Sequence, residues 1–139
     1  VREAARRMGE LHIGCLPVGE GGRLIGMVTD RDIVCRSVAN SLNPDRTHVR
    51  DVMTRGVVWC SEDQTALEAA EVMRSRGLRR LPVLDKNRAV VGLVSLDDLC
   101  GMIPDTVVIT ALQEINRARR TPSWPGWTGR RCSSAGPAR

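Results

Sequence analysis

"GMVTDRDIV", residues 26–34, lies over "GLVSLDDLC", residues 92–100, when the two halves of the chain are aligned. That superposition decides the fold, because a repeat has to be recognised before single elements are assigned. Working outward, residues 3–38 and 68–103 share one pattern. Glu3-Ala4-Ala5 answers Glu68-Ala69-Ala70, Met8 answers Met73, and Leu16-Pro17-Val18 answers Leu81-Pro82-Val83, with a one-residue difference in the turn after it. The second copy is preceded by "DVMTRGVVWCSEDQTAL", 51–67, which has no counterpart ahead of the first.

The fuller copy predicts a strand over 57–60, then a helix whose start carries Thr65 three residues before Glu68, the spacing of a capping box. Ala66, Ala70 and Met73 mark its buried face, and Gly77 ends it. Two strands, over 80–84 and 89–95, join through the polar turn "DKNR", and a short helix begins at 96. The fold class is therefore α/β (α+β): two tandem β-α-β-β-α units. Each is too small to bury both faces of its own sheet, so the two are expected to pack with pseudo-twofold symmetry. The units span 1–38 and 51–103, with a linker at 39–50 that carries turn chemistry at Asn43-Pro44. A last helix over 104–119 has Val108, Leu112 and Ile115 on one stripe, suited to capping the pair or to dimerising; capping is the expected use.

Charge and composition exclude several classes. The chain has 139 residues and a formal net charge of +5. Six of its 21 basic residues fall from Arg117 onward without an acid, which leaves 15 against 16 acids before that point, so the basicity belongs to the tail. The tail, 120–139, is rich in Pro, Gly and Ser without hydrophobic period and reads as disordered. Its Trp124 and Trp127 among arginines offer base stacking, but a solvated extension is the expected reading, and nucleic acid is not expected as a partner. No apolar run reaches the roughly 18 to 20 residues needed to span a bilayer, and "VREAARRMGE" lacks a signal-peptide core, so a cytoplasmic protein without membrane association is expected. Five cysteines without a CxxC, and His12 and His48 without ligand clusters, argue against a disulfide framework, a metal site or a histidine base.

Thr29-x-x-Asp32 and Ser95-x-x-Asp98 each place a hydroxyl at an N-cap and a carboxylate three residues on. Capping alone accounts for the pattern and is worth roughly 1 kcal/mol. A carboxylate at a strand-to-helix junction also suits the two hydroxyls of a ribose, while helix N–H groups and the hydroxyl suit phosphate. Because the aspartate repels phosphate, a nucleotide needs cations nearby, and Arg79 and Arg80 ahead of Leu81-Pro82-Val83 supply them. Asp30 corresponds to Leu96 in the second copy, and adjacent Asp97 and Asp98 point different ways on a helix, so no acid/base dyad is kept and no enzyme is expected.

The repeat of strand, helix, "LPV", turn and "GMVTDRD" or "GLVSLDD" resembles the CBS-domain family, in which two tandem motifs form a Bateman module. The resemblance covers about residues 1–103 and implies an opening strand ahead of the first copy's helix that this sequence does not include. It further implies clefts that join the (T/S)xxD of one motif to the opening strand and pre-LPV residues of the other. The main cleft would unite Thr29 and Asp32 with Thr54, Val57, Val58, Leu78, Arg79 and Arg80. Val57, Val58 and Leu78 would sandwich a purine, Asp32 would hold the ribose, and the arginines the phosphates. A second cleft would join Ser95 and Asp98 to Ile13, Gly14 and Cys15; it lacks the arginine pair, so the Asp32 cleft is expected to dominate. The implied function is regulatory sensing of an adenine nucleotide (AMP, ADP or ATP) or of S-adenosylmethionine, in a stand-alone homodimer without a resident cofactor. Competing readings are a ligand-free dimerisation or docking module and nucleic-acid contact through the basic tail.

Overall fold

In the computed structural model, which describes residues 1–118, the Thr65 cap forms as its spacing predicts. Its Oγ1 accepts from Glu68 N at 3.3 Å, and the Glu68 carboxylate accepts from Thr65 N at 2.7 Å. The helix so started, α4 (Ala66–Arg76), ends at Gly77 with φ 67°, in the left-handed region that favours glycine. Ahead of it lie α1 (Arg2–Leu11), β1 (Cys15–Glu20), β2 (Arg23–Thr29), α2 (Asp30–Asp32), α3 (Val49–Val52) and β3 (Cys60–Ser61). After it come β4 (Arg80–Leu84), β5 (Val90–Ser95) and α5 (Asp105–Ala118). A π-type turn, Ile33–Ser37, continues from α2. The tail 120–139, with Trp124 and Trp127, lies outside the described residues.

Among the described residues the strands form two small sheets. β1 and β2 pair antiparallel; in the other sheet β4 lies between parallel β3 and antiparallel β5. The copies correspond residue by residue: Val18 pairs with Gly26 as Val83 pairs with Gly92. The helix ends match too, since Ile13 N donates to Met8 O at 3.0 Å and Leu78 N to Met73 O at 2.9 Å. Two buried clusters form: one joins Met8 and Val28 of the first copy to Val52 and Met53 from the start of the second copy's segment, and the other lies around Met73, Leu81, Leu96 and Ile115. α5 belongs to the second core, with Val108, Ala111 and Ile115 buried against α4, so it caps the second copy rather than the pair. This explains why Ala70 is buried while its counterpart Ala5 is exposed. No described helix is long and apolar enough to cross a membrane.

Two elements differ from expectation. The strand predicted over 57–60 is reduced to Cys60–Ser61. Thr54 is bonded to β2 of the first copy, through Met27 N to Thr54 O at 2.9 Å and Thr54 N to Met27 O at 2.8 Å, and residues 55–59 are spent crossing to the second sheet. The helix predicted from 96 is a run of i to i+3 turns: Asp98 N bonds Ser95 O, Leu99 N bonds Leu96 O, and Cys100 N bonds Asp97 O. Leu96 and Leu99 are both buried, and the chain reverses at Gly101 (φ 82°) ahead of α5, which leaves no length for a regular helix.

Gly26 and Gly92 are equivalent in sequence and unlike in surroundings. A Cβ on Gly26 would collide with the Met53 thioether and stand 3.0 Å from the Thr54 carbonyl oxygen, whereas on Gly92 it would meet only Val83 at 3.9 Å. Gly26→Ala is expected to lower stability by about 1 to 3 kcal/mol in chemical denaturation. Gly92→Ala is expected to be neutral or slightly stabilising.

Candidate functional site

Both repeated carboxylates sit where a strand of the small sheets ends. In the first copy Asp32 Oδ2 accepts from Thr29 N at 2.9 Å and Thr29 Oγ1 at 2.8 Å, and Asp32 N donates back to Thr29 Oγ1 at 3.0 Å. In the second, Asp98 Oδ2 accepts from Ser95 N at 2.8 Å and Ser95 Oγ at 2.7 Å, with Asp98 N to Ser95 Oγ at 3.2 Å. One oxygen of each carboxylate is thus filled by the cap, and any further chemistry falls to Oδ1.

The two Oδ1 atoms differ. Asp32 Oδ1 faces Arg36 Nη2 at 3.2 Å, and Arg36 also donates to Val52 O at 2.8 Å and Thr54 Oγ1 at 3.2 Å. Arg36 therefore ties together Thr29, Asp32 and Thr54, three of the residues expected in the main cleft. The motif does not reveal it, because it stands one helical turn beyond Asp32 and its other partners are 16 and 18 residues away. Asp98 makes no side-chain hydrogen bond or ion pair among the described residues beyond its cap, and it is exposed. The Ser95 hydrogen bonds hold its carboxyl below the usual carboxylate range, and the Arg80 charge adds to that.

The remaining expected residues are dispersed. Arg80 opens β4 and Arg79 stands just before it, and their side chains go to different neighbours. Arg79 turns to α5, where its guanidinium donates to Asn116, so it does not join Asp32. Arg80 stands opposite Ser95 in the β4–β5 ladder, and its charge reaches Asp98 and Cys15. Of the two arginines that sequence reasoning assigns to the main cleft, Arg80 thus carries its charge toward Asp98. Val58 and Leu78 pack on the second core, while Val57 lines, with Trp59, Arg23 and Arg88, a cavity of about 480 Å³.

Around the second cleft, Gly14 O accepts from Asp30 N at 3.0 Å, and Cys15 pairs with Thr29 across β1 and β2. Ile13 precedes them, half-buried. Sequence comparison gives Asp30 no role, because the repeat replaces it with Leu96. It lies against Gly14, where a Cβ would stand 3.1 Å from its Oδ2. Cys15 thus feels the charge of Asp30 from its own copy and of Arg80 from the other. Among the described residues no group of three or more His, Cys, Asp or Glu is placed to hold a metal ion.

Comparison with known proteins agrees with this architecture. The family model described as CBS domain matches residues 1–38 and 49–105. An uncharacterized protein of Methanopyrus kandleri is 35% identical over 116 residues; the match covers 83% of this chain but 59% of that protein, less than two thirds of its length. Among solved structures, a CBS domain protein of Pyrobaculum aerophilum complexed with AMP superposes with TM-score 0.65 at 25% identity, covering 81% of this chain and 85% of that one. The CBS domain pair of protein MJ0100, in complex with 5′-methylthioadenosine and S-adenosyl-L-methionine, superposes with TM-score 0.60 at 31% identity over 73% of this chain and 78% of that one.

Cysteine reactivity tests the placement of this cleft. Burial pushes the Cys15 thiol up, with the Arg80 charge opposing and Asp30 reinforcing, and burial likewise raises Cys60. Less thiolate and less access both slow alkylation. At pH 8, iodoacetamide is expected to modify exposed Cys35 and Cys100 well before Cys15 and Cys60, as read by peptide mass mapping.

Proposed function

The chain belongs to the CBS-domain family, and within it we propose that this protein is a regulatory module, not an enzyme, that binds an adenosyl ligand between its two motifs. The observation that carries the reading is the pair of capped aspartates at equivalent strand ends, one of which keeps an oxygen open beside an arginine of the same copy. Asp98 Oδ1 accepts a ribose hydroxyl, and Arg80 neutralises phosphate or a carboxylate. Ile13, Gly14 and Cys15 form the opposite wall. The Asp32 cleft, with Thr29 and Thr54, is the second site, and Arg36 must release Oδ1 before a ribose can be held there. Of the three apolar residues expected as walls for a purine, Val58 and Leu78 stay in this reading, whereas Val57 faces a different cavity. The adenosyl compounds found with two similar structures, AMP in one and 5′-methylthioadenosine with S-adenosyl-L-methionine in the other, support this ligand class.

A ligand alters the packing of two motifs only by binding one arrangement better than another. The clefts are built from both copies, so their occupancy and the relation of the copies are linked. A cytoplasmic homodimer is part of the same proposal; native mass spectrometry reads the subunit number and any nucleotide carried through purification. Outward-facing Ile109 on α5, 52% exposed, and Met102, 72% exposed, favour a subunit contact as the second reading of this module.

Calorimetry and thermal shift with AMP, ADP, ATP and S-adenosylmethionine test the ligand assignment. At least one compound is expected to bind, and Asp98→Ala is expected to weaken it about tenfold or more, the loss of a charge-assisted hydrogen bond. Arg36→Gln is expected to leave that site intact and to strengthen a second one that Asp32→Ala removes. Absence of binding by every compound, or affinities unmoved in both aspartate variants, overturns the proposal.

A further inference from the structure

The cavity of about 480 Å³ beside Val57 is separate from both aspartate clefts: neither Asp32 nor Asp98 lines it, nor do Thr29, Ser95 or Arg80. Its size is that of a small-molecule site. Leu24, Ile25, Val57 and Leu84 give it an apolar floor, and Trp59, 39% exposed, offers a flat indole. Two cations line it: Arg23 at the start of β2 and Arg88 in the β4–β5 turn. Arg88 stands over the Trp59 ring, 5.8 Å from its centroid. Among the described residues neither guanidinium has an ion-pair partner. The acid of the hairpin, Asp85, uses Oδ1 to accept from Asn87 N and Ala89 N, both at 2.8 Å.

The backbone supplies an independent sign. Arg88 has φ 65°, in the left-handed region that L side chains other than Asn and Asp avoid. Counting back from Gly26 and Gly92, the same position in the first hairpin is Gly22, with φ 78°. The first copy fills that position with the residue the conformation favours, and the second keeps a long cationic side chain there against the local preference. A backbone outlier that aims a charge into a cavity is the kind of strain found at binding sites.

We propose that this cavity is a second ligand site, selective for a small organic anion with a flat apolar body and a phosphate or carboxylate group, held by Arg23 and Arg88 with its body against Trp59 and the apolar floor. It goes beyond the adenosyl reading and stands without it, since it shares none of the aspartate or Arg80 chemistry. The flat body supplies contact area and the two guanidiniums supply charge, so neither part alone is expected to bind well.

The test uses 1-naphthyl phosphate with the full chain carrying Trp124→Phe and Trp127→Phe, so that Trp59 is the fluorescent reporter. Calorimetry runs in parallel. Saturable quenching is expected, with affinity reduced about tenfold or more in Arg23→Gln and in Arg88→Asn, and by a similar factor for 1-naphthol or inorganic phosphate. Asn tolerates the left-handed backbone, so Arg88→Asn is expected to fold with an unchanged or higher thermal midpoint, and loss of affinity in a folded variant reads as loss of the site. Asp98→Ala is expected to leave this binding unchanged. No saturable binding, equal affinity in both arginine variants, or abolition by Asp98→Ala overturns the proposal. A shift of Trp59 emission with protein concentration, alongside a doubled native mass, also overturns it by assigning the cavity to a second copy of the chain.

Discussion

The antiparallel bridge between Met27 and Thr54 is the constraint on which the rest of the structure depends. It forms because Gly26 has no Cβ, which lets Met53 and the Thr54 carbonyl close on the edge of β2. Through it the segment that begins the second copy is first docked on the sheet of the first. The chain then has only residues 55–59 in which to reach Cys60 and the second sheet. Three features result. Thr54 comes within reach of Arg36, and so of Asp32; Val57 and Val58 face different surroundings; and Trp59 is carried beside the two hairpin arginines.

The same short motif works differently in its two settings. Thr29/Asp32 and Ser95/Asp98 make nearly superimposable caps, yet Arg36 occupies the outer oxygen of one carboxylate while the other remains open. After Asp32 the chain continues through a π-type turn that brings Arg36 back to its cap. After Asp98 it passes through tight turns toward Gly101 and α5. The inequality of the clefts therefore arises in the segments downstream of the two motifs. The expectation that the Asp32 cleft dominates rests on counting the arginines without their directions.

The features legible in the sequence are local or repeated. The Thr65–Glu68 spacing, Gly77 as a helix end, the paired strands and the correspondence of Met8 with Met73 rest on interactions within a few residues, or on a pattern seen twice. The rest depends on which way a side chain turns once the copies meet. Arg79 and Arg80 are adjacent letters whose side chains part at the start of β4, Arg79 bonding Asn116 and Arg80 carrying its charge toward Cys15 and Asp98. Arg36 carries no motif signal, because Val52 and Thr54 become its neighbours only through the bridge to β2. The shortened β3 has the same cause, since a short apolar run such as 57–60 does not tell a strand from a crossing.

The two apolar clusters are separate, but the first takes in Val52 and Met53 from the segment that begins the second copy, so residues 51–54 tie the copies through apolar burial as well as through the backbone bridge and the Arg36 guanidinium. Apolar burial is the main source of folding cooperativity, and here the start of the second copy's segment shares in the first cluster. Residues 55–59 are the joint between the two clusters. A molecule that contacts both sides of that joint raises the free energy of opening it and couples amide exchange in one cluster to the other.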